Sequence, residues 1–277
     1  MTPGGASVGR LLVCPTPIGN LEDVTLRVLA GLRDADVIAC EDTRHTRVLL
    51  DRHAIRTPLV SLHEHNERAR APELTRRIGS GELVALVSDA GTPLISDPGF
   101  ALVRACIEAG LEVEVLPGPS AVTTALVASG LPADRWRFVG FLPRRRGELA
   151  ELLAGARETL VAFESPRRLA STLALIAGRD PPRAAAVCRE LTKLHEEVRR
   201  GTAEELADHY REHPPRGEVV LVVGASAASQ MPVSEAVGAL RELVDAGARA
   251  RPAAGALARV TGISANELYR ELTRTEQ

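Results

Sequence analysis

Lysine and cysteine are scarce in this 277-residue chain, and it has no long hydrophobic run. The four cysteines stand far apart and form no Cys-x-x-Cys pair, so we expect buried, reduced thiols rather than disulfides or a metal site. No stretch approaches the ~18 consecutive apolar residues of a membrane span. Residues 1–10 lack the apolar segment of a secretory signal. These absences predict a soluble, cytosolic protein with no membrane partner.

The chain also lacks an excess of positive charge, because its formal net charge is -2. Any affinity for nucleic acid must therefore come from local patches of arginine. Lys193 is the only lysine among 34 basic residues. Coding bias explains the scarcity, but a single retained lysine also marks a position where arginine cannot supply the same chemistry.

Common signatures of nucleotide-binding enzymes are missing as well. The chain contains neither G-x-G-x-x-G nor G-x-x-x-x-G-K-[ST], which weighs against dehydrogenases and P-loop ATPases. His63 and His65 could bind a metal together with Glu67, but no third spaced ligand is evident, and hydrogen-bonding histidines are preferred. Cys40, beside Glu41, is interpreted as a buried structural thiol because no Cys/His arrangement supports a nucleophile.

The most informative segment is an apolar strand that runs directly into a stiff loop. Val84–Val87 has the continuous apolar character of a buried parallel strand. The loop up to Gly99 contains two glycines for close backbone contact, two prolines for rigidity and two aspartates. Ligands of open α/β sheets bind beyond the carboxyl ends of the strands. We therefore expect a ligand loop, followed by a helix that Asp97 caps and Pro98 begins.

Strand and helix patterns alternate through the N-terminal half, which predicts a parallel α/β sheet. Asn20 is predicted to cap an amphipathic helix with Leu21, Val24, Val28 and Leu32 on its apolar face. The strand ends carry polar or Gly/Pro clusters that we expect to converge on one rim. The predicted strands are 10–14, 37–40, 59–62, 84–87 and 113–116.

A second α/β set begins after Pro117-Gly-Pro-Ser-Ala121 and is predicted to contain a mixed sheet. Its caps are Ser165-Pro166 and the box Thr202-x-x-Glu205. The remainder predicts a linker at 225–232 and a helix-turn-helix tail formed by 249–260, a turn at Gly262 and a helix opened by Ser264. The predicted strands are 136–142, 160–163, 184–188 and 219–223, the first helix is 121–129, and the predicted domains are 1–117, 118–227 and 228–277.

Two short clusters bring carboxylates and cations together: Glu41-Asp42-Thr43-Arg44 and Arg189-Glu190-Leu-Thr-Lys193. In the first, a carboxylate could orient or deprotonate a hydroxyl while Arg44 holds a phosphate. The alternative is a helix capped by Asp42 or Thr43 with Arg44 as counter-ion. For the second cluster the alternative is a surface ion pair.

Taken in order, these segments resemble one family, the bacterial small-subunit ribosomal RNA 2′-O-ribose methyltransferases that act on a decoding-centre cytidine. This family lies within the tetrapyrrole methylase superfamily. The resemblance covers roughly residues 10–224 and the helical tail. It is carried by Thr16-Pro-Ile-Gly-Asn-Leu21, Glu41-Asp-Thr-Arg-His-Thr46, His63-Glu-His-Asn-Glu67, Ser88-Asp-Ala-Gly-Thr-Pro-Leu-Ile-Ser-Asp-Pro-Gly99, Leu116-Pro-Gly-Pro-Ser-Ala121, Phe163-Glu-Ser165, Arg189-Glu-Leu-Thr-Lys193 and Gly217-Glu-Val-Val220.

The resemblance implies a fold of two α/β domains, of the class III methyltransferase type, with S-adenosyl-L-methionine in the cleft between them and S-adenosyl-L-homocysteine as product. It also implies a homodimer and 16S ribosomal RNA, within the small subunit, as partner. The cofactor loop departs from the Gly-Asp-Pro type of the tetrapyrrole enzymes, so its backbone is expected to make the contacts. The implied cofactor residues are Pro17, Gly19, Ser88, Asp89, Ala90, Gly91, Thr92, Ser120, Ala121, Phe163, Glu164, Ser165 and Glu218.

For catalysis, the candidate bases are Glu41, Asp42 and Glu190, and the candidate phosphate or cytidine clamps are Arg44, Arg189 and Lys193; no metal ligand is assigned. RNA contacts are expected from Arg144–Arg146, Arg167-Arg168, Arg199-Arg200 and, on one face of the tail, Asn266, Arg270 and Arg274. The alternative for each of these groups is a charged surface that faces only solvent. The tail could instead brace a dimer or a domain. A tetrapyrrole methylase, a non-catalytic RNA-binding assembly factor and, more weakly, a nucleotide-dependent hydrolase stay open as alternatives.

Overall fold

The computed structural model of the chain describes residues 9–226, 233–261 and 263–274. Contacts divide the chain into two compact units. The first unit contains Met1–Ala125 together with Arg189–Glu197, and the second contains Leu126–Cys188 and Val198–Gln277. The segment 189–197 therefore packs with the first unit, although it lies late in the sequence.

The first unit contains a five-stranded sheet in the order β3-β2-β4-β1-β5, and its strand pairs are parallel, as predicted. Successive residues of β1 point to opposite faces, so that Leu12 and Leu11 belong to two different apolar layers. Because the strands are parallel, their carboxyl ends lie at one edge of the sheet. The strands are β1 (Arg10–Cys14), β2 (Val37–Cys40), β3 (Leu59–Ser61), β4 (Leu83–Val87) and β5 (Glu112–Val115).

The helices that connect these strands cover the sheet. One apolar layer packs under α1 and α2 and the other under α3 and α4. The helices are α1 (Leu26–Asp34), α2 (Thr43–Arg52), α3 (Glu67–Gly79) and α4 (Phe100–Glu108), and α5 (Ala121–Ser129) follows β5.

The first helix begins later than the sequence pattern predicts. Asn20 caps only a short 3₁₀ turn, Leu21–Asp23, by accepting a hydrogen bond from the Glu22 N–H. Val24 is extended, and Thr25 starts α1 by accepting from the Val28 N–H at 3.1 Å. The prediction of one continuous helix from Leu21 is wrong because this second cap restarts the helix.

Helix α4 also begins differently from the prediction. Its N-cap is Gly99, at φ 124°, and no side chain of the ligand loop caps it. The Glu67 carboxylate, at the start of α3, accepts hydrogen bonds from the Gly99 and Ala101 N–H groups. The predicted capping role of Asp97 is therefore wrong, because the acceptor comes from a distant helix.

The second unit contains a five-stranded sheet in the order β6-β7-β10-β8-β9. β6 is parallel to β7, whereas β10 is antiparallel to it, which confirms the predicted mixed sheet. Strand β9 is an element that the sequence pattern missed. The strands are β6 (Trp136–Phe141), β7 (Thr159–Glu164), β8 (Ala184–Arg189), β9 (Glu197–Thr202) and β10 (Val219–Val223).

Three helices complete this α/β layer. Leu153, Leu173 and Leu206, one from each helix, pack on the inward residues of β7 and β10. The capping box between Thr202 and Glu205 is confirmed. The helices are α6 (Arg146–Ala154), α7 (Pro166–Ala177) and α8 (Ala203–Glu212).

The C-terminal tail consists of α9 (Val233–Asp245), α10 (Ala250–Thr261) and α11 (Ala265–Arg274). These helices share a small core that includes Leu240, Ala254, Leu268 and Leu272. The two predicted helices of the tail are confirmed. The predicted turn at Gly262 and residues 227–232 of the predicted linker lie outside the described residues.

Within the described parts of the chain, no helix combines the length and the apolar character that crossing a bilayer requires. All four cysteines are buried free thiols, as predicted. Burial raises the pKa of Cys14 to about 12 and also raises the pKa of Cys40. Both thiols are therefore poor nucleophiles at neutral pH.

Candidate active site

The loops after β1 and β4 are joined at the carboxyl edge of the first sheet. Thr16 and Gly91 exchange two backbone hydrogen bonds, of 2.8 and 3.0 Å. The buried Thr16 hydroxyl also donates to the Ser88 carbonyl at 3.0 Å. Gly91 lies at φ 80°, where a side chain is strained, and a Cβ there would lie 3.3 Å from Ile18. The ligand loop is therefore fixed through its backbone.

A third segment, the one after β5, is tied to the same loop. The Thr92 hydroxyl donates to the Pro119 carbonyl at 3.1 Å. Gly118 lies so close to Pro15 that a Cβ would approach its ring to 2.7 Å. The structure thus brings together three predicted cofactor segments of the first unit, those of Pro17 and Gly19, Ser88–Thr92, and Ser120 and Ala121. Pro17, Ser88 and Gly91 are buried, and Ala90 is exposed.

The segment Leu191–Lys193 packs against the loop after β1. The Asn20 N–H donates to the Thr192 hydroxyl at 2.9 Å. A Cβ at Gly19 would lie 2.4 Å from the Lys193 Cγ and 2.9 Å from the Leu191 carbonyl oxygen. Glu190 and Thr192 adopt left-handed backbone conformations, at φ 51° and 65°, which are costly for residues with side chains. This tight turn places Glu190 and Lys193 beside the first unit's loops.

Opposite charges are already paired within that turn. Lys193 Nζ lies 3.0 Å from Glu190 Oε1, and the Arg189 guanidinium contacts Glu197 at 3.0 Å. The side chains of Glu190 and Lys193 are 20% and 29% exposed, so this pair is only partly screened by water. The second predicted cluster is therefore a set of half-buried ion pairs at the edge of the site.

The first predicted cluster divides into two parts. Asp42 is the N-cap of α2, accepts from the Arg44 N–H at 2.8 Å, and binds the Arg44 guanidinium at 2.7 Å. These contacts hold the pKa of Asp42 well below its usual range. The Arg44 side chain is 89% exposed. The geometry of Asp42 and Arg44 is that of the capping alternative.

Glu41 belongs to a group of carboxylates that also includes Asp89 and Asp97. The Asp42 N–H donates to Asp89 Oδ1 at 3.1 Å, which links the ends of β2 and β4. Burial, followed by the nearby negative charge of Asp89, raises the pKa of Glu41. Burial, followed by the charges of Glu41 and Asp89, raises the pKa of Asp97 to about 7. Two of these carboxylates therefore bind protons more tightly than ordinary ones do.

The His63-Glu-His-Asn-Glu67 motif forms hydrogen bonds that stabilise the first unit. Glu67 caps α4, as described above, and the Asn66 side chain accepts from the His63 N–H and donates to the Ser61 carbonyl. The His63 and His65 rings lie edge to face, with centroids 6.0 Å apart. Among the described residues, no group of three side chains could hold a metal ion.

The remaining predicted cofactor residues lie in the second unit. Glu164 ends β7 and is buried, and its carboxylate accepts from the Ser165 N–H, the Thr172 hydroxyl and the Arg168 guanidinium. The antiparallel register pairs Val219 with Glu164, so the exposed Glu218 lies next to the end of β7. Phe163 is half-buried.

The predicted RNA-binding arginines differ in their surroundings. Arg144, Arg146 and Arg167 are exposed, whereas the Arg168 guanidinium turns inward to Glu164 and the Leu142 and Pro143 carbonyls. Arg199 is exposed, and Arg200 donates to the Ala128 carbonyl. In the tail, Asn266, Arg270 and Arg274 are exposed.

Sequence reasoning missed Thr16, Glu67 and Thr192 as residues that fix the site. Thr16 precedes Pro17, a predicted cofactor residue, and Thr192 lies within the predicted cluster of residues 189–193. Only the folded chain shows the hydrogen-bond partners of these two threonines. Glu67 was considered as a metal ligand, although a glutamate at a helix start also has the chemistry of a cap.

Comparisons with known proteins agree with this architecture. Residues 10–207 match the model of the tetrapyrrole (corrin/porphyrin) methylases. The crystal structure of uroporphyrin-III-C-methyltransferase from Thermus thermophilus superposes with a TM-score of 0.57 at 25% identity, over 78% of this chain and 94% of that protein.

Two curated relatives are more similar in sequence, and both are named ribosomal RNA small subunit methyltransferase I. The Mesorhizobium japonicum protein is 47% identical over 95% of this chain and 90% of its own length. The Thermotoga maritima protein is 45% identical over 78% of this chain and 98% of its own length. The chain belongs to the tetrapyrrole methylase family, in the branch of these ribosomal RNA small subunit methyltransferase I proteins.

Proposed function

We propose that the chain methylates the ribose 2′-hydroxyl of a decoding-centre cytidine in 16S ribosomal RNA, with S-adenosyl-L-methionine as methyl donor. The observation that carries this proposal is the joining of the three predicted cofactor segments around Gly91 by the hydrogen bonds of Thr16, Thr92 and Pro119. The similarity to relatives named ribosomal RNA small subunit methyltransferase I supports it. A homodimer and the assembled small subunit as substrate form part of the proposal.

The donor's sulfonium supplies an activated methyl group, so the protein's main task is to bind and orient. The residues of this chain fit that group through backbone rather than charge, since Ser88–Thr92 is a rigid loop closed against Thr16 and Pro119. Holding two reactants in a reactive geometry contributes about 7–11 kcal/mol to catalysis. In the second unit, Phe163–Ser165 and Glu218 are proposed to contact the nucleoside side of the donor.

Glu41 is the strongest candidate for the base that accepts the proton of the ribose 2′-hydroxyl. A base works best when its pKa lies near the operating pH, and the pKa of Glu41 is raised by burial and by Asp89. Asp42 is a weaker candidate, because capping and Arg44 hold its pKa low. Glu190 is paired with Lys193, which favours a role in placing that cation.

Lys193, Arg189 and Arg44 are proposed to contact the phosphates or the cytidine of the substrate. Each of the three cations is paired with a carboxylate, and Arg44 has the most exposed side chain. A cation that is already positioned loses less conformational entropy when substrate binds.

A tetrapyrrole methylase is the second candidate, because the family model and the Thermus thermophilus structure share the fold. Identity of 45–47% to ribosomal RNA methyltransferases favours RNA over a tetrapyrrole.

The test is tritium transfer from S-adenosylmethionine to naked 16S RNA, small subunits and whole ribosomes in parallel, followed by nuclease mapping of the modified ribose. We expect 2′-O-methylcytidine with small subunits. A tenfold or greater loss of rate is expected for Glu41→Gln, a much smaller one for Asp42→Asn. Label in none of the three RNA substrates, or label outside a ribose, would contradict the proposal.

A further inference from the structure

The few aromatic residues of this chain are concentrated on one strand pair. The sequence contains four phenylalanines, two tyrosines and one tryptophan. Three of the phenylalanines and the tryptophan lie on β6 and β7. The Phe163 ring contacts Phe138 and Phe141, with centroids 5.1 and 5.4 Å apart. Phe141 is nevertheless 67% exposed, which is unusual for a large apolar side chain.

A β-bulge accounts for the placement of Phe141. Phe138 pairs with Val161 and Phe141 with Phe163, so β6 contains one extra residue between the two pairs. Residues that pair across parallel strands share a face. The extra residue therefore places both Phe138 and Phe141 on the same face as Phe163. In a regular strand, Phe138 and Phe141 would lie on opposite faces, because they are three residues apart. In the part of the chain that the structure describes, β6 is an edge strand, and β7 is the one strand that pairs with it.

Exposed positive charge surrounds the same end of the strand pair. Arg144 and Arg146 follow Phe141 in the chain, and Arg167 lies in the first turn of α7; all three are exposed. The half-buried Arg168 and the buried Glu164 tie the chain after β6 to the start of α7, because Arg168 binds the Leu142 and Pro143 carbonyls and also Glu164. Helices α6 and α7 both begin here, and neither N-cap forms a side-chain hydrogen bond.

We propose that Phe141 stacks on an unpaired base of the RNA substrate, while Arg144, Arg146 and Arg167 contact the phosphates next to that base. The proposal rests on the proposed function and adds the surface that recognises a single-stranded stretch. Aromatic rings beside arginines are the combination that binds unpaired nucleotides. Phe141 also contacts Phe163, the residue proposed to lie near the donor's nucleoside.

Charge favours RNA over a second copy of the chain at this surface. In a two-fold dimer the same patch meets itself, so the exposed arginines of both copies would face one another. Like charges brought together in this way oppose association. Phosphates would instead neutralise them.

The test uses the full-length protein and a single-stranded RNA with 2-aminopurine in place of one base. Three substitutions at Phe141 separate stacking from apolar contact: Phe141→Ala, Phe141→Leu and Phe141→Trp. We expect alanine to weaken RNA binding by about 5- to 150-fold, leucine to weaken it nearly as much, and tryptophan to restore both the affinity and the fluorescence quenching. Phe100→Ala is the matched control, since Phe100 is 64% exposed and lies in the first unit.

The arginines are tested by the salt dependence of binding. Arg144→Ala and Arg167→Ala should each lower the slope of log affinity against log salt by about 0.7, whereas Phe141→Ala should leave the slope unchanged. Equal RNA affinity of Phe141→Ala and wild type, while the wild type methylates small subunits, would overturn this inference alone. If Phe141→Ala and Phe141→Trp lose a dimer that Phe141→Leu retains, the surface mediates self-association and not RNA binding. A wild-type protein that methylates no RNA would instead refute the proposed function.

Discussion

Glu67 fixes the end of the ligand loop from a position far away in the sequence. Its carboxylate accepts hydrogen bonds from the Gly99 and Ala101 N–H groups. These groups lie at the start of α4, where backbone donors have no partner within the helix. We expect Glu67→Ala to lower the free energy of unfolding by about 1–2 kcal/mol, and Glu67→Gln to lower it less, because the amide keeps an acceptor. Urea denaturation measures both.

The control for Glu67 is Glu64→Ala, an exposed glutamate in the same segment. Its effect should lie within about 0.5 kcal/mol of zero. Equal losses for Glu64→Ala and Glu67→Ala would show that the cap contributes nothing.

Asp97 makes the stability of the protein depend on pH. The pKa of its carboxyl is about 7 in the folded chain and about 4 in an unfolded one, so between these values the folded state binds more protons. Stability then falls as the pH rises from about 4 to 7. Asp97→Asn removes this penalty. It should be neutral near pH 4 and stabilising by about 1–2 kcal/mol at pH 8, after allowance for solvent screening.

Denaturation of Asp97→Asn at the two pH values checks this sign. Glu41, whose pKa is also raised, contributes in the same direction, so the variant reduces the slope of stability against pH without removing it. Asp34→Asn, at an exposed position on α1, serves as the control. A stabilisation of Asp97→Asn that is the same at both pH values would contradict the argument.

At the scale of elements, the site depends on the close approach of two chain segments. A Cβ at Gly19 would lie 2.9 Å from the Leu191 carbonyl oxygen, and backbone cannot move aside as a side chain can. We expect Gly19→Ala to displace the turn that contains Glu190 and Lys193. A displacement of about 1 Å can reduce the rate by about 100-fold. Methyl transfer under single-turnover conditions measures the loss.

Gly79→Ala is the matched control, because a Cβ there meets nothing within 4 Å at the end of α3. It should leave the rate unchanged and stabilise the protein slightly. Full activity of Gly19→Ala would mean that the turn is not part of the site.

The elements also show where sequence reasoning succeeds. Buried strands such as β1 and β4 are continuous apolar runs, and their prediction is confirmed. Strand β9 was missed because Glu197-Val-Arg-Arg-Gly-Thr202 is an edge strand with no apolar alternation. Long-range bonds, such as those from Glu67 to α4 and from Asn20 to Thr192, have no local signal, so the cap of α4 and the place of segment 189–197 could not be predicted.

At the scale of the whole molecule, the tail belongs to the second unit but has a small apolar core of its own. Its core of Leu240, Ala254, Leu268 and Leu272 is distinct from the apolar cluster of the second sheet. The Thermotoga maritima relative matches only 78% of this chain over 98% of its own length, so that protein has no counterpart of the rest. Because the tail helices pack around their own core, we expect the two α/β sheets to fold without the tail.

Removal of residues 227–277 tests this expectation. The shortened protein should still bind S-adenosylmethionine and methylate small subunits, but with weaker RNA affinity, because Asn266, Arg270 and Arg274 are lost. A full-length triple alanine variant at these exposed positions is the matched comparison, since it keeps the buried Leu268 and Leu272. It should reproduce the loss of affinity and lower the salt slope by about 0.7 for each arginine that contacts phosphate. If the triple variant binds RNA normally while the shortened protein dissociates into monomers, the tail holds the dimer together and does not contact RNA.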